Sequence, residues 1–218
     1  MRIVFLGVFT EYKKMLILSM ARILSMEHAV KIFTNRHYSF EEEHGDVYDF
    51  CKIEIHRFEE ETQLLEALES NACEYALIDI DQDIDAGSDA KIVSIIEPER
   101  TTFEQTIKQA DKFIRRRPYT DIYLVFANIL EYCQINRSFL EKLYERALKD
   151  SSNITKGYEL YFDEQNAAIL QESMYEEKLC LKKLAPVWKM QVTNILSDLT
   201  GIDMKTMRKK LKKAERMK

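Results

Sequence analysis

Residues 5–24 read FLGVFTEYKKMLILSMARIL, opened by the apolar run RIVFLGVF at residues 2–9. An unbroken apolar run of this length predicts a buried strand rather than a half-exposed one. Beyond it, Leu16, Met20, Ile23 and Leu24 recur at helical spacing and predict a helix over residues 13–26. The strand-loop-helix unit repeats outward. Strands are expected at 29–34, 51–58 (an edge or half-exposed strand), 75–80, 91–96, 121–127 and 158–162. Helices are expected at 60–70, from Thr101 or Thr102 as cap to 116, at 138–149 and at 182–199. Residues 35–46 read as a polar loop, and 165–180 as helix giving way to loop. Strands alternating with such helices predict an α/β fold, a doubly wound and mostly parallel sheet with helices on both faces and a C-terminal helical extension. The division expected is a domain over 1–200 and a basic amphipathic tail over 201–218. Ligands of such sheets sit at the carboxyl ends of the strands, which directs attention to the loop at residues 7–14.

Composition narrows the function classes. The chain has 218 residues, 46% of them apolar and 32% charged, which suits one globular domain and excludes a disordered or collagen-like chain. No window of 18 apolar residues occurs, and the opening apolar run is too short for a signal-peptide core, so a cytoplasmic chain is expected. Cys51, Cys73, Cys133 and Cys180 form no CxxC pair, and His28, His37, His44 and His56 form no metal-binding spacing. No metal site and no catalytic nucleophile is assigned. Only five glycines are present, at 7, 45, 87, 157 and 201, so no loop concentrates them as a phosphate cradle does.

The first loop nonetheless carries half of a phosphate-binding pattern. In G-x-x-x-x-G-K-[ST], Gly7 and Lys13 fall at the required separation, Tyr12 stands at the second glycine and Lys14 at the hydroxyl residue. A tyrosine there is expected to occupy the phosphate space or disfavour its backbone geometry, and an ammonium at Lys14 repels magnesium. Lys13, Lys14 and a helix N-terminus together still attract an anion.

The order of elements, with these phrases, resembles the MinD/ParA family of P-loop ATPases. Residues 5–24 resemble its first strand, loop and helix; EYALIDID at 74–81 resembles its Walker B strand, with Asp79 at the acidic position. KIVSIIEPERTTFEQT at 91–106 resembles a later strand and helix, IYLVFAN at 122–128 the strand ending in an adenine-contacting asparagine, here Asn128, and YELYFDEQNAAIL at 158–170 a late segment. The resemblance implies a nucleotide site at Gly7, Lys13, Lys14, Asp79 and Asn128, with ATP and magnesium as the family's cofactor. Departures run against that chemistry. Val8 stands at the signature lysine, Phe9 and Thr10 at loop glycines, and the segment after Asp79 lacks its proline, with the glycine displaced to Gly87. The expectation is a vestigial site and no cofactor: a nucleotide-independent pseudo-ATPase, similar to TadZ-like assembly members. It would act as a scaffold or recruitment factor for a membrane-associated pilus or secretion machine, through protein partners and a homodimer. A MinD/ParA-type ATPase switch with an unorthodox loop and a DNA-binding partition-like protein are the alternatives.

Two charged segments complete the reading. Asp79, Asp81, Asp83 and Asp85 alternate along IDIDQDID at 78–85 and read as a solvated acidic loop or a hard-cation site, with a salt bridge to Lys13 and Lys14 across the pocket as a further hypothesis. The last 16 residues carry eight basic and two acidic side chains, a net +6 that leaves −11 for the rest of the chain. Within them Met204, Met207, Leu211, Ala214 and Met217 form a narrow apolar stripe flanked by Arg208, Lys209, Lys210, Lys212 and Lys213. Such a helix suits an anionic membrane surface at the inner face of the membrane, a partner, or its own domain; nucleic acid is a weaker fit.

Overall fold

The structure, a computed structural model, describes residues 1–38, 45–82, 84–86, 89–117, 121–148 and 153–217. Its strands are β1 (Arg2–Leu6), β2 (Val30–Thr34), β3 (Val47–Phe50), β4 (Ile53–Arg57), β5 (Tyr75–Ile80), β6 (Ala90–Ile96), β7 (Asp121–Ile129) and β8 (Asn153–Tyr161). Its helices are α1 (Glu11–Leu24), α2 (Glu61–Ser70), α3 (Arg100–Arg116), α4 (Arg137–Leu148), α5 (Glu164–Glu176), α6 (Pro186–Thr200) and α7 (Met204–Ala214).

The strands form one sheet in the order β3-β4-β2-β5-β1-β6-β7-β8. All neighbours pair in parallel except β3 with β4. Because side chains alternate across a strand, each central strand feeds two cores. Ile3, Phe5, Leu77, Val93 and Val125 pack with α1, α5, α6 and α7 on one face. Val4, Leu6, Ile78, Ile92 and Leu124 pack with α2, α3 and α4 on the other. This is the doubly wound sheet that the alternation of strands and helices implies.

Several boundaries differ for local reasons. The strand expected at 51–58 is β4 alone, and β3 shields it as the true edge; Cys51 and Lys52 make the two-residue turn between them, both with positive φ (53° and 60°). The α3 cap is Glu99, not Thr101 or Thr102: its carboxylate accepts the Thr101 and Thr102 amides, so the helix begins earlier. The helix expected from 182 begins at Pro186, whose ring suits the first helical position and holds Ala185 extended. Residues 181–183 form a separate 3-10 turn. The strand expected at 158–162 extends back to Asn153.

Residues 201–217 do not stand apart from the sheet. α7 lies against α1 and α6, and Met207 and Ala214 belong to the same core as α1. Asp203 caps it by accepting the amides of Lys205 and Thr206 at 3.0 Å.

Candidate functional site

The site is built at the carboxyl ends of β1, β5, β6 and β7. β1 runs into Gly7, whose φ of +131° is open to glycine and closed to most side chains. A Cβ here would also lie 2.6 Å from the Ile95 carbonyl oxygen of β6. The chain then needs only residues 8–10 to reach α1. Thr10 caps that helix, its hydroxyl oxygen accepting the Lys13 amide at 3.1 Å. The same hydroxyl donates to Glu97 at the end of β6. Glu97 also accepts from Asn128 Nδ2 at 2.8 Å. Asn128 itself has φ +55° near the end of β7. The residue expected to meet adenine is thus tied, through Glu97, to the cap of α1.

Lys13 occupies the first turn of α1 and is fully buried. Its ammonium donates to the Gly7 carbonyl at 2.7 Å and to the Ile80 carbonyl at 3.0 Å. It also makes a close ion pair with Asp79 Oδ1 at 2.7 Å, although that oxygen accepts no directed hydrogen bond. The other carboxylate oxygen, Oδ2, accepts the Tyr38 hydroxyl at 2.7 Å. Tyr38 is 1% exposed. Burial, and then the charge of Asp79, push its phenol well above the usual range, so it remains a donor. The Tyr38 amide in turn donates to the Tyr48 hydroxyl at 2.9 Å, which anchors it to β3. The salt bridge expected across the pocket therefore exists between Lys13 and Asp79.

Lys14 does not share it. One residue further along a helix is about 100° around the axis, so adjacent lysines face different neighbours. Lys14 pairs with Glu11 at 2.6 Å and donates to the Tyr38 carbonyl at 3.2 Å. The two ammoniums expected to attract an anion together are both turned inward and partnered. Tyr12 is also displaced from its expected place. It lies within α1, 7% exposed, and its hydroxyl accepts from Trp188 Nε1 of α6 at 2.8 Å. Tyr38 and Lys13, not Tyr12, fill the space beside Asp79.

The acidic run divides its charge among separate partners. Asp79 holds Lys13; Asp81 holds Arg36 at 2.6 Å and accepts from Asn35 at 2.6 Å; Asp85 holds Arg117. Asp83 and Gly87 lie outside the described residues. Above the loop, Val8, Phe9, Arg36, Asp81, Gln105 and Lys108 line a cleft of 540 Å³. This cleft opens at the strand ends, next to the Lys13 cluster.

These residues do not fit a magnesium–triphosphate group as arranged. The Lys13 ammonium is already shared among the Gly7 and Ile80 carbonyls and Asp79, and the Tyr38 hydroxyl takes the second Asp79 oxygen, so a phosphate or a metal would have to displace these contacts. Sequence reasoning found Gly7, Lys13 and Asp79 but missed Tyr38, Thr10 and Glu97. Tyr38 is 41 residues from its carboxylate partner, and no local pattern marks the pairing.

The C-terminal candidates lie on the face of α1 remote from this loop. Met207, Lys210 and Ala214 are buried and Met204 and Leu211 half-buried, so the apolar stripe packs on its own domain up to Met217, which is exposed. Lys210 reaches Glu27 at 2.5 Å and His28 Nε2 at 3.1 Å, and Lys213 also reaches Glu27. Arg208, Lys209, Lys212 and Lys213 are exposed. Among the described residues no helix is long and apolar enough to cross a membrane.

No protein-family model and no curated protein sequence matches the chain. Solved structures share its fold. The MinD cell division protein of Aquifex aeolicus aligns with a TM-score of 0.58 at 11% identity, covering 93% of this chain and 97% of that one. The MinC:MinD cell division protein complex of the same organism aligns with the same score and identity, over 93% of this chain and 96% of that one. A putative plasmid partition protein from Borrelia burgdorferi B31, bound to AMPPNP, aligns more loosely, with a TM-score of 0.48 at 12% identity over 97% and 98%. The chain has a MinD-like fold.

Proposed function

We propose that this protein is a nucleotide-independent member of the MinD/ParA-like fold that works as a scaffold or recruitment factor for a membrane-associated assembly. One observation carries the reading. The lysine and the acid that would serve the triphosphate and its metal neutralise each other, and Tyr38 takes the remaining carboxylate oxygen. Asp79 thus supplies in cis the negative charge that a phosphate would otherwise bring to Lys13. A fold relieved of nucleotide chemistry retains its surfaces. MinD is known in complex with MinC, which supports a protein partner for a chain of this fold. The outward cations of α7 give an electrostatic, non-inserting contact with an anionic membrane, because Met207 and Ala214 of the apolar stripe are buried against the domain and only Met217 at its end is exposed.

Isothermal titration with ATP, in the presence and absence of magnesium, tests the first half. No heat is expected up to millimolar nucleotide. Micromolar, magnesium-dependent binding overturns the reading and favours the second one, an ATPase switch. That second reading draws on Gly7 and Lys13, which keep their places in the loop and first helical turn. Vesicle co-sedimentation tests the other half. Binding to anionic vesicles should fall with salt, and the triple variant Arg208→Gln, Lys209→Gln, Lys212→Gln should lose most of it. Retention of duplex DNA rather than vesicles would point to the partition-like alternative.

A further inference from the structure

Arg22 is the buried cation that the Lys13 cluster does not explain. It sits in the last turn of α1, 5% exposed, on the side of the helix remote from the phosphate loop. Among the described residues it has no ion pair and no side-chain hydrogen-bond partner, and its Nε is a buried donor without an acceptor. Burial lowers its pKa, as expected for a cation taken from water without compensation. The polar atom of Cys51 beside it supplies no anion, because burial pushes that thiol up to about 12. Asp49 acts on it only from a distance, its Oδ1 accepting the Lys52 amide.

Arg22 instead lines a cavity of 340 Å³ between α1, the β3–β4 turn and α5. Ile169, Leu179 and Met217 make its apolar wall. Lys52, Glu172, Glu176, Lys178 and Lys183 are exposed at its rim and Glu177 is half-buried there, so Arg22 is the one buried charged residue of the lining. An apolar wall with one buried, oriented charge suits a small-molecule site. We infer that this cavity binds a monoanionic carboxylate carrying an apolar body, with its head group on Arg22 and its body against Ile169, Leu179 and Met217. A planar guanidinium matches a carboxylate in a two-point contact. Glu172, Glu176 and Glu177 at the rim are matched in number by Lys52, Lys178 and Lys183, so the charge left for a ligand inside is that of the single Arg22 guanidinium, which suits a monoanion. At about 30 Å³ per water-sized group, the volume accommodates roughly eleven non-hydrogen atoms. Octanoate is of that size, and so is the last apolar residue of a peptide with its free carboxylate.

The test is titration calorimetry on the full chain with octanoate, octan-1-ol, and a short leucine-ended peptide with either a free or an amidated C-terminus. Saturable binding is expected for octanoate or the free-carboxylate peptide, at least tenfold tighter than for octanol or the amide. Whichever carboxylate binds more tightly identifies the source. Arg22→Met should keep the fold, since it removes an uncompensated buried charge, and should weaken carboxylate binding at least tenfold. Ile169→Trp, which fills the chamber and leaves Arg22 in place, should abolish binding and decides the matter should Arg22→Met not fold. Equal affinity for octanoate and octanol, unchanged affinity in a folded variant, or no binding of either carboxylate at millimolar concentration overturns the inference.

Discussion

Replacing Lys13 by Met keeps most of the side-chain volume and leaves Asp79 buried beside Tyr38 without its cation. Removing one partner of a buried ion pair costs about 3–5 kcal/mol. For a chain of this size, each kcal/mol lowers Tm by about 2–4 °C, so Lys13→Met should lower it by about 6–20 °C. Lys13→Met also strips the Gly7 and Ile80 carbonyls of their donor, and the single variant cannot separate that loss from the loss of charge. A double-mutant cycle can. Asp79→Asn keeps an acceptor for the Tyr38 hydroxyl while removing the charge, and the carbonyl losses cancel between the two arms that lack Lys13. Urea unfolding followed by circular dichroism should give a favourable coupling of at least about 2 kcal/mol, because the doubly neutral site has no unpaired charge to bury. A coupling below about 0.5 kcal/mol would mean that Lys13 and Asp79 do not hold each other in solution, and the plugged-site argument would fall with it.

Gly7→Ala should destabilise the fold by about 1–3 kcal/mol in the same assay, because its φ is positive and the new Cβ meets the Ile95 carbonyl oxygen. Tyr12→Phe should cost about 1–3 kcal/mol by leaving the Trp188 Nε1 donor unpaired in the core, with a shift in tryptophan fluorescence as an independent signature. The Glu27 carboxyl is held down at about 2, first by its hydrogen bonds to Lys210 and Lys213. A depressed folded pKa contributes stability that is full above the unfolded carboxyl value and lost as pH falls through the folded one. Acid should therefore loosen α7 between the ordinary glutamate range and about pH 2. Glu27→Gln should flatten that part of the pH profile of the urea midpoint.

The parts of the fold legible from sequence are those where burial writes a continuous pattern. β1, β5, β6 and β7 are central strands covered on both faces, and their apolar runs stand out from the helices between them. β3 was not legible. At four residues it alternates exposed and buried side chains, and its turn uses Cys51 and Lys52 at positive φ where glycine or asparagine would have signalled a hairpin. At the site, the G-x-x-x-x-x-K spacing puts Gly7 after β1 and Lys13 in the first turn of α1, because strand, loop and helix are contiguous. Helical phase decided what spacing could not. It sends Tyr12 to Trp188, Lys13 to Asp79 and Lys14 to Glu11, although the three are consecutive. In the tail, the same amphipathic stripe suits a membrane or the protein's own core. Only the tertiary contact of Met207 and Ala214 with α1 and α6 separates the two.

The Lys13–Asp79 pair alone would not distinguish a plugged site from a nucleotide site at rest, since a lysine without phosphate can lean on a nearby acid in either. The proposed reading rests on Tyr38. It occupies the second carboxylate oxygen from a position that is itself held twice: the Tyr48 hydroxyl accepts its amide, and its carbonyl accepts Lys14. Lys14 is fixed in turn by Glu11 on its own helix. Freeing Asp79 for a metal therefore means moving Tyr38, and moving Tyr38 disturbs β3 and the first turn of α1 together. The same lysine that displaces the metal-binding hydroxyl from the phosphate pattern also buttresses the tyrosine that caps the acid. Two departures that look independent along the chain are thus parts of one buried network. Restoring a hydroxyl residue at position 14 alone would loosen that network before it rebuilt a metal site.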